Sequence, residues 1–146
     1  MKFKVEKELL LNSVQIVQNI ITAKSALPIL MNILIEAQQD AVKFTATDLD
    51  IGISCEIPVD ILEAGAITIP AKRFGDIIKE LPVQDVEITT KKNNSVIIDA
   101  GPCQFKIMGL ARDEFPKLPE FKDREAIKLE QGVLKRMLGL VSFAAS

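Results

Sequence analysis

Histidine, tyrosine and tryptophan are absent from this 146-residue chain. Without histidine there is no serine–histidine triad and no histidine-ligated metal. Without tyrosine and tryptophan, stacking on nucleic-acid bases falls to seven phenylalanines, most of them at core-like positions. The only two cysteines, Cys55 and Cys103, lie far apart in sequence, which excludes a disulfide framework and a four-cysteine zinc site. No apolar run approaches the roughly 20 residues a membrane span needs, and the N-terminus lacks the apolar region of a secretory signal. Neither common glycine-rich phosphate loop occurs. These absences leave little chemistry for an enzyme. The expectation is a soluble cytoplasmic protein that needs no cofactor and no metal.

What is present is a domain's worth of apolar sequence. With 48% hydrophobic residues the chain can bury a sizeable core. Phe3 and Val5 alternate with lysines as a first strand, and Leu10, Val14, Val17 and Ile21 recur at helical spacing from Lys7 to Ile21. Residues from Thr22 to Pro28 break that helix. A meander follows, with Ile33 and Ile35, then Val42, Phe44 and Ala46, then Ile51, Ile53, Cys55 and Ile57, separated by turns at Gln38–Asp40 and Asp48–Asp50. Ile67 and Ile69 mark another strand. A second helix runs from about Ala71 to Leu81 and stops at Pro82, which would remove a hydrogen bond and clash with the preceding turn. Val86–Thr90 and Val96–Ile98 flank Asn93-Asn94, a tight-hairpin signal. Phe105 and Ile107 alternate in a last strand, and Arg112 to Arg124, with Pro116 and Pro119, reads as a linker. Two helices and about eight mostly antiparallel strands, without βαβ alternation, predict an α+β domain with both helices packed on one face.

The chain end repeats its beginning. At an offset of 124 residues, Lys4, Glu6, Leu10 and Val17 meet identical residues at Lys128, Glu130, Leu134 and Val141. Each copy reads as a short strand running into an amphipathic helix. A period this long suggests a domain-sized repeat, since solenoid periods run to roughly 20–50 residues. Two unrelated strand–helix openings would look alike too.

Charge is distributed unevenly. Residues 1–25 carry Lys2, Lys4, Lys7 and Lys24 against Glu6 and Glu8, a balance of +2. Residues 70–82 carry Lys72, Arg73 and Lys79 against Asp76 and Glu80, a balance of +1. Residues 126–146 carry Lys128, Lys135 and Arg136 against Glu130, a balance of +2. The helical segments thus total +5 in a chain of net charge −2, leaving −7 for the remainder. Such segregation suits a surface that meets a polyanion on one side and water on the other; helices also often carry lysines without that purpose. Gln15, Gln18 and Asn19 add uncharged groups able to meet phosphates through water. No helix resembles a base-reading recognition helix, so contact without sequence preference is expected. Two other readings stay open: an adaptor domain with no nucleic-acid role, and a carboxylate–metal phosphoryl-transfer site at Asp48 and Asp50, residues that equally suit a turn.

Four stretches, Ala26–Leu30 (ALPIL), Phe44–Asp50 (FTATDLD), Ile69–Phe74 (IPAKRF) and Glu114–Pro119 (EFPKLP), resemble the bacterial DNA sliding clamps, the beta subunits of DNA polymerase III holoenzyme. The resemblance runs in register from Met1 through the whole chain. It implies three similar domains per subunit and two subunits closed head to tail around duplex DNA. Helices would line the hole, with antiparallel sheets outside. Residues 1–120 would be the first clamp domain with the start of the linker. Residues 121–146 would hold the end of the linker and the first strand and helix of a truncated second domain, in a fragment unable to close the ring alone. The resemblance also implies a non-catalytic processivity role and, as partners, sequence-independent double-stranded DNA, a second clamp subunit, the polymerase and the clamp loader.

Carried over residue by residue, Lys24 and Lys72 fall at DNA-contact positions, with Arg73 as a weaker candidate beside the subunit interface. Lysine at both positions keeps the charge without bidentate phosphate geometry. Ile77, Leu81, Phe105 and Ile107 match apolar subunit-interface positions, although periodicity alone reads them as core. The family's peptide pocket lies between its second and third domains, so no residue here is assigned to it.

Overall fold

A computed structural model of the chain describes residues 1–21, 27–118 and 128–144. In β1 (Lys2–Glu6), Phe3 and Val5 enter the core while Lys2, Lys4 and Glu6 point away, as alternation demands. α1 (Lys7–Gln18) follows without a break and buries Leu10, Ser13, Val14 and Val17 on one stripe. Ser13 is tolerated there because its hydroxyl donates to the Leu9 carbonyl at 2.7 Å. β2 (Asn32–Gln38), β3 (Ala41–Thr47) and β4 (Gly52–Pro58) form the antiparallel meander. β5 (Asp60–Glu63) and β6 (Gly65–Pro70) lead into α2 (Ala71–Glu80). β7 (Asp85–Thr90), β8 (Ser95–Ala100) and β9 (Cys103–Met108) then run as consecutive hairpins.

The strands make two antiparallel sheets, ordered β5-β1-β7-β8-β9 and β4-β3-β2-β6. Both give their apolar faces to a single core that includes Phe3, Leu10, Phe44, Phe74 and Ile98. A seam joins the sheets beyond the end of β9. The backbones of Thr68 and Leu110 exchange two hydrogen bonds of 3.0 and 2.9 Å, and the Gly109 N–H donates to the Asn94 carbonyl at 2.8 Å. The turns fall where expected, with left-handed backbone at Gln39, Leu49 and Asn94. The Asp48 carboxylate accepts from the Asp50 and Ile51 N–H groups at 3.0 and 2.8 Å, so it acts as a turn former.

Three features depart from the sequence reading. β5 is a strand that the periodicity does not show: only Ile61 of Asp60–Glu63 is partly buried, and pairing of Phe3 with Ile61 and of Lys4 with Asp60 creates it. The supposed linker is a strap over residues 110–118. From Leu110 at Thr68 on β6 it passes Arg112, whose Nε donates to Glu36 Oε1 on β2 at 2.8 Å. It reaches Leu118, seated so closely over Gly52 on β4 that a Cβ there would lie 3.0 Å from Leu118 Cδ2. Thr68, Glu36 and Gly52 all alternate with core residues, so the strap crosses the sheet face turned away from the core. Phe115 is buried within it, a contribution on the order of 2 kcal/mol. Third, residues 128–130, expected to repeat β1, form no strand, for no described segment pairs with them. α3 (Gln131–Val141) does repeat α1, yet its apolar positions, such as Val133 and Leu138, are all exposed. The expected domain boundary at 120/121 lies outside the described residues.

The seam depends on a missing side chain. A Cβ on Gly109 would lie 2.5 Å from the Thr68 carbonyl oxygen, a backbone atom held by the seam itself. Gly109→Ala is expected to lower the unfolding free energy by roughly 2 kcal/mol or more, measured by urea denaturation. Met108→Ala, at an exposed neighbour, should change it by less than about 0.5 kcal/mol. Equal midpoints for the two variants would remove the seam from this account.

Candidate nucleic-acid interface

α1 and α2 run antiparallel and are fastened to each other at both ends. At one end the Lys7 ammonium donates to the Leu81 carbonyl at 2.6 Å, and the Lys7 N–H donates to the Gln84 carbonyl at 2.6 Å. Leu81 caps the C-terminus of α2, where the helix dipole and its unsatisfied carbonyls favour a cation. At the other end the Gln18 side-chain amide donates to the Ala71 carbonyl in the first turn of α2, at 2.5 Å. Gly75 makes the close approach possible: a Cβ there would overlap the Gln18 amide nitrogen and lie 3.0 Å from its Oε1. α1 packs in turn on β3 and β4, so the helix pair is seated on the core.

The outward face of this pair is largely uncharged on α1 and basic on α2. Asn12, Gln15, Ile16 and Asn19 are exposed and, with Gln18, line a shallow groove of about 560 Å³ along α1. Lys72, Arg73 and Lys79 are exposed on α2, and none makes an ion pair with a described residue. At about 100° per residue, Lys72 and Lys79 fall on the flank that Gly75 turns toward α1. Arg73 falls on the opposite flank with Ile77 and Glu80.

The charge balance drawn from sequence needs correction for the first helical segment. Lys2 and Lys4 lie on the far side of β1, where they pair with Glu87 at 2.8 and 3.9 Å. Lys7 caps α2. Lys24 lies outside the described residues. Gln18, expected to face phosphates, spends its donor on Ala71. The free cations of the described helix pair therefore sit on α2 alone. The acidic side is real: Glu6, Asp60, Asp85, Glu87 and Asp99 surround a groove of about 590 Å³ on the five-stranded sheet, with Lys4 among them. Their strand neighbours Phe3, Val5 and Val86 belong to the core that the helices cover, so the acidic face and the helix pair lie on opposite sides of the core.

The four apolar residues expected at a subunit interface are divided by burial. Leu81 is 2% exposed and Ile107 1%, both inside this chain's own core. Ile77 and Phe105 are partly buried and keep accessible surface. Phe105 lies on β9, an outer strand of its sheet. The expectation of an edge strand exposing both Phe105 and Ile107 is thus corrected. The two share the inward face of β9, Ile107 fully buried and Phe105 packed partly against the core, while the exposed positions between and after them are Lys106 and Met108.

Sequence reasoning missed the roles of Lys7, Gln18 and Gly75. One signal was available. A glycine inside an otherwise strong helix marks a close approach more often than chance, and Gly75 is such a residue.

Comparison with known proteins places the chain. Residues 1–119 match the family model of the DNA polymerase III beta subunit, N-terminal domain. A beta sliding clamp of Bacillus subtilis is 36% identical over 154 aligned residues, covering 100% of this chain and 41% of that protein. The beta sliding clamp of Chlamydia muridarum is 32% identical over 146 residues, covering 100% and 40%. Among solved structures, a DNA polymerase beta subunit of Streptococcus pyogenes superposes with a TM-score of 0.95 at 28% identity, over 100% of this chain and 40% of its own. The Bacillus subtilis sliding clamp superposes at 0.90 with 36% identity, over 94% and 38%. The chain spans about 40% of the length of the curated relatives it matches.

The Lys7 cap is open to a direct test. Lys7→Met keeps the aliphatic stem and removes the ammonium that meets the Leu81 carbonyl. It should cost about 1 kcal/mol of stability, read from thermal or urea unfolding, whereas Lys106→Met, at an exposed strand position, should cost less than about 0.5 kcal/mol.

Proposed function

Given that this chain belongs to the DNA polymerase III beta subunit family, matching its N-terminal domain, we propose that it is the DNA-facing first domain of a sliding clamp that encircles duplex DNA and tethers the replicative polymerase. The α1–α2 face meets the duplex and the acidic sheet faces outward. The observation that carries this reading is the placement of an amide-lined groove and of Lys72, which has no ion pair among the described residues, on one side of the core, with the carboxylate-lined groove of the five-stranded sheet on the other.

The mechanism is topological. A ring stays on DNA because it surrounds it, so each phosphate contact is weak and the ring slides. Non-specific affinity rises steeply with the number of phosphates neutralised, and a lining rich in Asn and Gln with few cations keeps that number low. Amide groups exchange water-mediated contacts as the duplex passes. Lys72 contributes a flexible point charge in place of a bidentate grip, and Lys24 adds a second in the segment after α1. Arg73, on the far flank of α2 beside Ile77, serves DNA weakly or the neighbouring subunit. Ile77 and Phe105 offer apolar surface to a second subunit, while Leu81 and Ile107 support them from the core. The domain performs no catalysis. It acts in the bacterial cytoplasm with the polymerase and the clamp loader, which dock on parts of the protein beyond this domain. Among the described residues no helix is long and apolar enough to cross a membrane.

The isolated 146-residue chain cannot surround DNA, so its affinity for duplex should be no tighter than roughly 10⁻⁴–10⁻⁶ M at physiological salt, equal for unrelated sequences. Lys72→Ala should weaken binding uniformly and reduce the slope of log K against log salt by about 1. Fluorescence anisotropy with labelled 20-base-pair duplexes at several salt concentrations reads all three. Nanomolar binding, a sequence preference, or an unchanged slope in Lys72→Ala would each contradict the reading.

A further inference from the structure

Gln18 occupies an unusual place for an exposed-face residue of a DNA-facing helix. Its neighbours on that face, Asn12, Gln15 and Asn19, are exposed, whereas Gln18 is half-buried with its amide nitrogen on the Ala71 carbonyl. Ala71 immediately precedes Lys72. The same amide lies across Gly75, the one position of α2 where the backbone leaves room for it. Gln18 therefore reaches the first turn of α2 from the last turn of α1 and touches it both N-terminal and C-terminal to Lys72.

We propose that Gln18 is a positioning residue for Lys72: its amide, seated on Gly75 and bonded to Ala71, sets the rotation of the first turn of α2 and so aims the Lys72 ammonium over the groove along α1. The physical case rests on where freedom remains. The C-terminal end of α2 is held by the Lys7 ammonium and by Ile78 in the core, while Ala71 and Phe74 bury the inner side of the first turn and leave its outer side to be fixed by polar contacts. The N-terminal turn has no side-chain cap, since Pro70 is the N-cap residue and supplies no donor or acceptor beyond its carbonyl. Gln18 is the only side chain given a hydrogen bond to that turn among the described residues. A carbonyl already inside a helix accepts this second bond on its free lone pair, so the helix bond is kept and the turn gains an outside anchor. Arg73 lies on the opposite flank, where Gln18 does not reach.

The inference rests on the DNA-facing role proposed for Lys72, and the test separates the two. A double-mutant cycle in the 146-residue chain measures the latch without DNA. Gly75→Ala improves helix propensity but expels the Gln18 amide, whereas in a Gln18→Ala background the new methyl has room. Gly75→Ala should therefore raise the melting temperature by roughly 2–4 °C more in the Gln18→Ala background than in the wild type. Additive effects would overturn the latch. The second measurement follows backbone amide shifts by NMR during titration with a 12-base-pair duplex at low salt. Wild type should show duplex-induced shifts at Lys72, and Gln18→Met, which keeps the side-chain length and loses the donor, should halve them or more while leaving those at Arg73 unchanged. Undiminished Lys72 shifts in Gln18→Met would overturn the positioning role. If the wild-type chain shows no shift at Lys72 while the cycle is non-additive, the DNA reading of Lys72 fails and the latch stands as packing alone.

Discussion

The antiparallel docking of α1 on α2 is the constraint on which the rest of the molecule depends. Both helices are short, and helices of this length are marginal in water without tertiary support. Each becomes stable by burying its apolar stripe, Leu10, Val14 and Val17 from α1 and Phe74 and Ile78 from α2, in a core shared with both sheets. The polar fastenings add direction to that adhesion. Lys7 at one end and Gln18 at the other hold the helices in a single register, and hydrophobic burial, which is non-directional, could not choose that register by itself. The close approach at Gly75 then leaves mostly polar side chains, with Ile16 among them, to face outward.

That geometry explains how an acidic protein presents a surface fit for a polyanion. β1 alternates, so one strand supplies Phe3 and Val5 to the core and Lys2 and Lys4 to Glu87 on the opposite face. Its lysines moderate the carboxylates of the outer sheet and are not available to the helix side. The helix side instead carries amides, a few cations without an ion pair among the described residues, and the exposed Glu8, Asp76 and Glu80. In the proposed sliding role a weak lining is an advantage, because every neutralised phosphate adds to a salt-dependent grip. The acidic exterior would, in that role, repel nucleic acid from the outer face.

The strap has a related logic on the second sheet. A segment carrying Pro116 and many charges has only a short 3-10 helix, Arg112–Glu114, of its own, yet Phe115 and Leu118 recur three residues apart and give it two apolar anchors. Arg112 and Glu36 add an ion pair between a mostly exposed and a largely covered side chain, so its net worth is small. The seam at Gly109 sets where the strap begins. Between these points, the chain leaving β9 crosses the outer face of the four-stranded sheet along a defined path.

Much of this was legible in the residues. Periodicity located both helices and eight of the nine described strands, because a half-buried strand and an amphipathic helix each leave an unambiguous pattern. Turn residues such as Asp48 and Asn94 were readable for the same local reason, and the stretch around Lys72 pointed to the family whose model the chain matches. The limits were equally physical. β5 carries almost no apolar signal and exists because β1 offers it an edge to pair with. The repeat of β1 at residues 128–130 has the pattern of a strand but no partner among the described residues, and it forms none. Phe105 and Ile107 look alike in sequence and share one face of β9, and only the packing of the core above that face leaves one fully buried and the other partly open. Composition, local periodicity and turn chemistry act over a few residues and can be read from the chain alone. Which lysine stays free, which amide latches a helix and which strand finds an edge depend on groups more than fifty residues apart in the chain, and these emerge only in the folded molecule, because a hydrogen bond or a strand pairing has no existence until folding brings its two halves together.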